Sequence, residues 1–150
     1  MDEKYLKLAI EKAKESVSQG GFPAGAVVVK NGEVVSEGVS VGNMLNDPTC
    51  HGEMASIRSA CKSLNTTDLA GCVLYASMQP CLMCLGATMW SSIPKIVYAC
   101  SQDKVSEEYY GGHYKSEEIN SELANPVELV HFPDLEGESL SIVTKWEKSL

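Results

Sequence analysis

His51, Glu53, Cys81 and Cys84 are the side chains whose types and spacing could do chemistry together. The imidazole of His51 and the two thiols of Pro80-Cys81-Leu82-Met83-Cys84 offer three ligands to a zinc ion. A tetrahedral zinc with three protein ligands keeps its fourth position open for water. Zn2+ lowers the pKa of such a water from about 15.7 to roughly 7–9. Glu53 stands two residues beyond the imidazole, close enough to hold that water and ferry its protons. The set therefore predicts a catalytic zinc and hydrolytic chemistry.

Two plainer readings of the same residues stand beside this one. A structural zinc site usually takes four protein ligands, often from two Cys-x-x-Cys pairs. The chain has one such pair, and Cys50 as a fourth ligand would have to share the metal with its own neighbour His51. A thiol redox site is the other reading, because a strand running into Cys-x-x-Cys at a helix start is also a redox arrangement. It leaves His51, Glu53 and the proline before Cys81 without a role. Cys50, Cys61, Cys72 and Cys100 sit in or beside apolar runs and read as buried reduced thiols. His113 and His131 have no partner at a ligand spacing, although the segment holding His113 could border a pocket. Trp90 and Trp146 read as core residues on helices.

The elements that must position these residues follow from periodicity. Leu6, Ala9, Ile10, Ala13 and Val17 recur at helical spacing and predict a helix over 3–18. Gln19-Gly20-Gly21-Phe22-Pro23 breaks it. Ala26 to Val29 and Val34 to Ser40, joined by Asn31-Gly32, predict a β-hairpin. A loop through Asn46-Asp47-Pro48-Thr49 leads to a helix over 51–63, with His51 and Glu53 in its first turn. After a polar loop come a strand over 72–76 and a helix over 82–91 with Cys81 and Cys84 at its first turn. Two helix starts facing one site would lower thiol pKa values and favour a metal. A strand over 95–99, a helix over 116–123, a strand over 127–130 and a helix over 139–148 complete the chain. Strand–helix alternation predicts parallel pairing with helices over the sheet.

Composition narrows the partners. A chain of 150 residues, 44% of them hydrophobic, suits one domain spanning 1–150. The net charge of −8 and the single arginine, Arg58, argue against a nucleic-acid partner, since phosphate backbones are held by clustered cations. Residues 103–139 hold ten acidic side chains against two basic ones. No segment approaches the roughly 18 unbroken apolar residues of a membrane span. The start of the chain lacks the basic-then-apolar profile of a secretory signal. Six cysteines in that context read as reduced thiols and metal ligands, so a cytoplasmic location is expected.

His51-Gly52-Glu53 with Pro80-Cys81-x-x-Cys84 matches the H-x-E…P-C-x-x-C pattern of zinc deaminases. The match continues in Pro23-Ala24-Gly25-Ala26, in Asn46-Asp47-Pro48-Thr49-Cys50-His51, and in Leu74-Tyr75-Ala76-Ser77 through Gly86-Ala87. The chain thus resembles the cytidine/deoxycytidylate deaminase superfamily, within it the free-base branch of guanine deaminase and fungal cytosine deaminase. Residues 5–100 carry the resemblance well and 101–150 only loosely. It implies an α/β/α three-layer sandwich around a five-stranded mixed sheet, and a homodimer. It implies zinc on His51, Cys81 and Cys84, with Glu53 as the proton carrier. The Cys81 backbone N–H would face the new oxygen, and the carbonyls before Cys81 would accept from the leaving amine. Ala24, Ser40, Gly52 and Pro80 are the implied substrate contacts.

Guanine or a related aminopurine is the leading substrate. Cytosine, isocytosine, another pyrimidine or a pterin are alternatives, and editing of adenosine in tRNA is a further one. Three positions depart from the guanine deaminase pattern. Ser40 replaces an asparagine, Ala24 replaces a phenylalanine, and Tyr110-Gly111-Gly112 stands where that family has F-D-D. The C-terminal aromatic that closes some of those sites is replaced by Lys148-Ser149-Leu150. On these departures guanine is expected to be a poor substrate.

Overall fold

The computed structural model describes residues 1–150. The chain runs α1 (Asp2–Ser18), β1 (Phe22–Lys30), β2 (Glu33–Ser40), α2 (Gly42–Leu45), α3 (Gly52–Leu64), β3 (Cys72–Met78), α4 (Leu82–Trp90), β4 (Lys95–Cys100), α5 (Ser116–Ser121), β5 (Glu128–His131) and α6 (Glu136–Lys148). The strands form one sheet in the order β2-β1-β3-β4-β5. The β1/β2 and β1/β3 pairs are antiparallel, and β3, β4 and β5 run parallel. Asn31 and Gly32 both take positive φ, 51° and 76°, which is the backbone a tight hairpin of that handedness needs.

Strand alternation sorts the core into two faces. Ala26, Val28, Leu74, Ala76, Ile96 and Tyr98 face α3 and α4, where they meet Ile57, Ala60 and Leu85. Val27, Val29, Tyr75, Val97 and Ala99 point the other way and meet Tyr5, Leu6, Ala9 and Ile10 of α1. The result is the helix–sheet–helix sandwich that the resemblance implied. No helix is long and apolar enough to cross a membrane.

Three glycines let helices lie on the sheet at backbone distance. A Cβ on Gly25 would come within 2.5 Å of the Lys12–Ala13 backbone of α1. On the opposite face, one on Gly52 would meet the Gly25 Cα at 3.0 Å. One on Gly38 would lie 2.1 Å from the Gly52 carbonyl oxygen. The first turn of α3 is therefore pressed onto β1 and β2, which fixes how deep His51 and Glu53 sit.

The structure adds elements that periodicity did not predict. The loop before His51 contains α2, and short 3₁₀ turns occupy Gln102–Lys104, Glu107–Tyr110 and Pro133–Leu135. The last helix begins at Glu136 rather than 139, continuing from the last of those turns. Trp90, read as core, is 80% exposed, because it sits at the outward-facing end of α4.

Candidate active site

His51 and Cys81 each occupy the N-cap of a helix, one residue before the first turn in which they were expected. His51 precedes α3 with φ −79° and ψ 160°, and Cys81 precedes α4 with φ −74° and ψ 175°. Their carbonyls accept the first helical bonds, from Ala55 N–H and Leu85 N–H, both at 2.9 Å. An extended N-cap residue throws its side chain past the helix end, so the two helix starts converge. Cys84, in the first turn of α4, completes the group from a fully buried position.

The ligand atoms fit a zinc ion as they stand. His51 Nδ1 lies 3.5 Å from the Sγ of Cys81 and 3.5 Å from the Sγ of Cys84. All three donor atoms fall within 4.8 Å of one another. Zinc bonds of about 2.1 Å to nitrogen and 2.3 Å to sulfur at a tetrahedral angle place N and S about 3.6 Å apart. A hydrogen bond from Cys84, with help from His51, pulls the Cys81 thiol down to about 4 against the effect of its burial. The Cys84 thiol is raised by the same bond and by burial. A thiol lowered at a helix start suits a metal, which binds the thiolate.

Glu53 lies beside this group, only 6% exposed. Burial, and next the charge of Cys81, push its carboxyl up to about 7, while His51 pulls the other way. A carboxyl held near neutrality can both take and return a proton. A bound cation would draw it back toward the carboxylate.

His51, Cys81 and Glu53 open onto a cavity of about 570 Å³, within the usual range for a small-molecule site, and Cys84 lies behind them. His51, Glu53, Cys81, Ala24 and Ser40 all line it, as expected. Ser40 is 7% exposed, and its backbone N–H donates to the buried Ser16 hydroxyl at 3.0 Å. That same hydroxyl donates to the Phe22 carbonyl at 2.6 Å, so α1 fixes two walls at once. The Ser40 hydroxyl itself has no protein partner.

Gly52 and Pro80, expected at the substrate, do not line the cavity. Gly52 is packed against Gly25 of β1, and the Pro80 carbonyl is turned to the Ser116 hydroxyl at 3.0 Å. His113 also stays outside, exposed and paired with Glu107.

The remaining walls come from residues that the sequence did not place at the site, or placed there only as a departure from the family pattern. Phe22, Tyr109 and Trp146 pack edge-to-face with ring centroids 5.1, 5.2 and 5.9 Å apart, and all three line the cavity. Trp146 is thus a pocket wall rather than a core residue. Asn43, Glu108, Tyr110 and Leu150 line the cavity as well. An amide, aromatic rings and a late carboxylate are therefore present after all, displaced by a few residues from where the family pattern places them. Phe22 had a signal, since it shares a strand face with Ala24. Glu108 lies in a polar stretch with no periodicity and had none, whereas Tyr110 was marked through its alignment with the family's F-D-D segment. The cavity carries Asp47, Glu53 and Glu108 and no lysine or arginine.

Residues 1–100 match the family described as the cytidine and deoxycytidylate deaminase zinc-binding region. A tRNA-specific adenosine deaminase of Aquifex aeolicus is 41% identical over 102 residues, covering 68% of this chain and 68% of the relative. The guanine deaminase of Bacillus subtilis is 40% identical over 119 residues, 79% of this chain and 76% of the relative. Its solved structure superposes with a TM-score of 0.69 at 35% identity over 97% of this chain and 93% of the other. A guanine deaminase structure from Nitrosomonas europaea shares the fold, with a TM-score of 0.83 at 21% identity over 96% and 83% of the two chains. A matched zinc-binding region covering two thirds of the chain, on a fold that brings His51, Cys81 and Cys84 within bonding reach of one ion, makes this chain a member of the cytidine and deoxycytidylate deaminase family.

Proposed function

We propose that this deaminase hydrolyses the exocyclic amine of a small uncharged amino-heterocycle, an aminopurine of the guanine type being the leading substrate. The carrying observation is the composition of the cavity: a buried Glu53 beside the ligands His51 and Cys81, with no lysine or arginine on its walls. Zinc held by His51, Cys81 and Cys84 would supply a water polarised for attack at neutral pH. Glu53 takes a proton from that water and hands it to a ring nitrogen, which makes the amine-bearing carbon electrophilic. It then carries the second proton to the departing amine, so that water and a C–NH2 group become a C=O group and ammonia. The Cys81 N–H has no acceptor within the protein and lies at a helix start, placed to stabilise the developing oxygen.

The substrate reading draws on the Bacillus subtilis guanine deaminase at 40% identity. It also draws on the cavity chemistry. Ser40 and Asn43 offer groups that donate and accept, Glu108 offers an acceptor for N–H edges, and Phe22 offers a ring face. Those groups are of the chemical types that the departures at Ser40, Ala24 and Tyr110 removed, which supports an aminopurine substrate. The Aquifex aeolicus relative, a tRNA-specific adenosine deaminase at 41% identity, favours a second reading in which adenosine in tRNA is the target. The acidic, cation-free cavity weighs against it, because a polynucleotide brings phosphates that need counter-charges.

Ammonia release from guanine, 2,6-diaminopurine, cytosine, isocytosine, their nucleosides, aminopterins and an adenosine-containing tRNA anticodon stem tests the proposal. A free aminopurine should give the highest kcat/KM. Glu53→Ala should keep fold and zinc and lose at least ~10²–10⁴-fold in turnover, the contribution of one general acid–base group. Efficient turnover of the tRNA stem alone would establish the second reading, and Glu53→Ala within tenfold of the parent would remove the mechanism.

A further inference from the structure

Gln79 immediately precedes the Pro80-Cys81 ligand segment, is 2% exposed, and has every polar group committed. Its N–H donates to the Cys100 carbonyl at 2.8 Å, and its C=O accepts from the Tyr110 hydroxyl at 2.8 Å. Its side-chain Oε1 accepts from Gln102 N–H at 2.8 Å, and its Nε2 donates to Glu117 Oε1 at 2.8 Å. One residue thus ties down the end of β4, the turn carrying Glu108 to Tyr110, the turn starting at Gln102, and α5.

Gln102 relays the arrangement further. Its Nε2 donates to the Tyr114 carbonyl at 2.7 Å, and its Oε1 accepts from Ser116 N–H at 3.1 Å. Within the segment 101–117, Tyr110 is buried in a small apolar cluster, and Val105, Tyr109 and Tyr114 pack partly buried against it. Hydrogen bonds add to that packing: three join Gln79 to Gln102, Tyr110 and Glu117, beside single bonds to Leu82, Glu136, Glu147 and Pro80. This same segment supplies Glu108, Tyr109 and Tyr110 to the cavity.

We infer that Gln79 is a positioning residue that holds the segment 101–117 as the far wall of the substrate cavity, and that its pairing with Glu117 requires one amide and one carboxylate. Gln79 donates where Glu117 can only accept. A glutamate at position 79 would keep the acceptor for Gln102 N–H but set two carboxylates against each other at hydrogen-bond distance. The wall would then loosen while the zinc ligands, anchored by α3 and α4 on the core, stay in place. A glutamate at 79 facing a glutamine at 117 restores the pair with donor and acceptor exchanged.

The test is a swap: Gln79→Glu, Glu117→Gln and the two combined, each with zinc content measured. Two readouts are followed, the kinetics on the preferred substrate and the tryptic cutting rates after Lys104 and Lys115, mapped by mass spectrometry. The kinetic arm rests on the deaminase reading above; the proteolytic arm does not. Gln79→Glu should raise KM about ten- to hundredfold, the worth of one hydrogen bond to a charged group, with kcat nearly constant and zinc retained. Cutting at both lysines should accelerate. Glu117→Gln alone should resemble the parent, since an amide oxygen still accepts from Gln79. The double variant should recover both readouts, and should recover folding if Gln79→Glu alone fails to fold. Gln79→Glu indistinguishable from the parent, or a double variant no better than it, overturns the inference. Should no substrate be turned over by the parent, the deaminase reading fails separately and the proteolytic arm still decides the role of Gln79.

Discussion

At the residue scale the site depends on donor atoms set at the separations a tetrahedral zinc requires. His51 Nδ1 is 3.5 Å from each sulfur, close to the N–S spacing of about 3.6 Å that such an ion imposes. Cys84 is the most enclosed of the three ligands. Cys84→Ser keeps nearly the same volume and replaces a soft thiolate by a hydroxyl, which zinc binds weakly at neutral pH. Metal analysis of the purified variant should show most of the zinc gone, with circular dichroism close to the parent. Zinc held at the parental stoichiometry would remove Cys84 from the ligand set. The same result would reopen the structural and redox readings of the cysteine pair.

At the scale of elements, what matters is how closely helices approach the sheet. Gly38 and Gly86 make opposite predictions from the same substitution. A methyl on Gly38 of β2 would meet the Gly52 carbonyl oxygen at 2.1 Å and Ser56 N at 2.7 Å, both backbone atoms that cannot step aside. Gly38→Ala should therefore push α3 outward and cost about 1–3 kcal/mol, with His51 and Glu53 displaced and zinc affinity reduced. Gly86 lies inside α4 with nothing within 4 Å of an added Cβ. Gly86→Ala should stabilise by about 0.5–1 kcal/mol through helix propensity alone. Thermal or urea unfolding of the two variants checks both signs. A Gly38→Ala protein as stable as the parent would mean that α3 is not seated by backbone contact.

At the scale of the whole molecule, charge decides what can approach. The net charge is −8, Arg58 is the sole arginine, and the cavity walls carry three acids and no cation. Polynucleotide binding is driven by cations that displace counterions from phosphates, and this surface offers few. A fluorescence anisotropy titration with tRNA at physiological salt should not saturate at micromolar protein. Saturable nanomolar binding would contradict this prediction and favour the tRNA reading suggested by the Aquifex aeolicus relative.

The order of strands and helices, the α/β/α class and the His51, Glu53, Cys81 and Cys84 set were legible in the amino-acid sequence. Each rests on a pattern of short range: period 2 for strands, 3.6 for helices, Asn31-Gly32 for the hairpin, and ligand types at fixed spacing. The positions of Ala24 and Ser40 on the cavity wall were legible too, through the family resemblance. What the sequence did not determine is the rest of the cavity. Phe22, Tyr109 and Trp146 meet across more than a hundred residues of chain, and Glu108 and Tyr110 sit in a stretch without periodicity. The Gln79 bonds to Tyr110, Gln102 and Glu117 hold that stretch, and such pairings are specified by distance in space rather than spacing in sequence. The departures read at Ser40, Ala24 and Tyr110 suggested lost contacts for the same reason: a pocket counts the groups that arrive, and only the folded chain decides which segments deliver them.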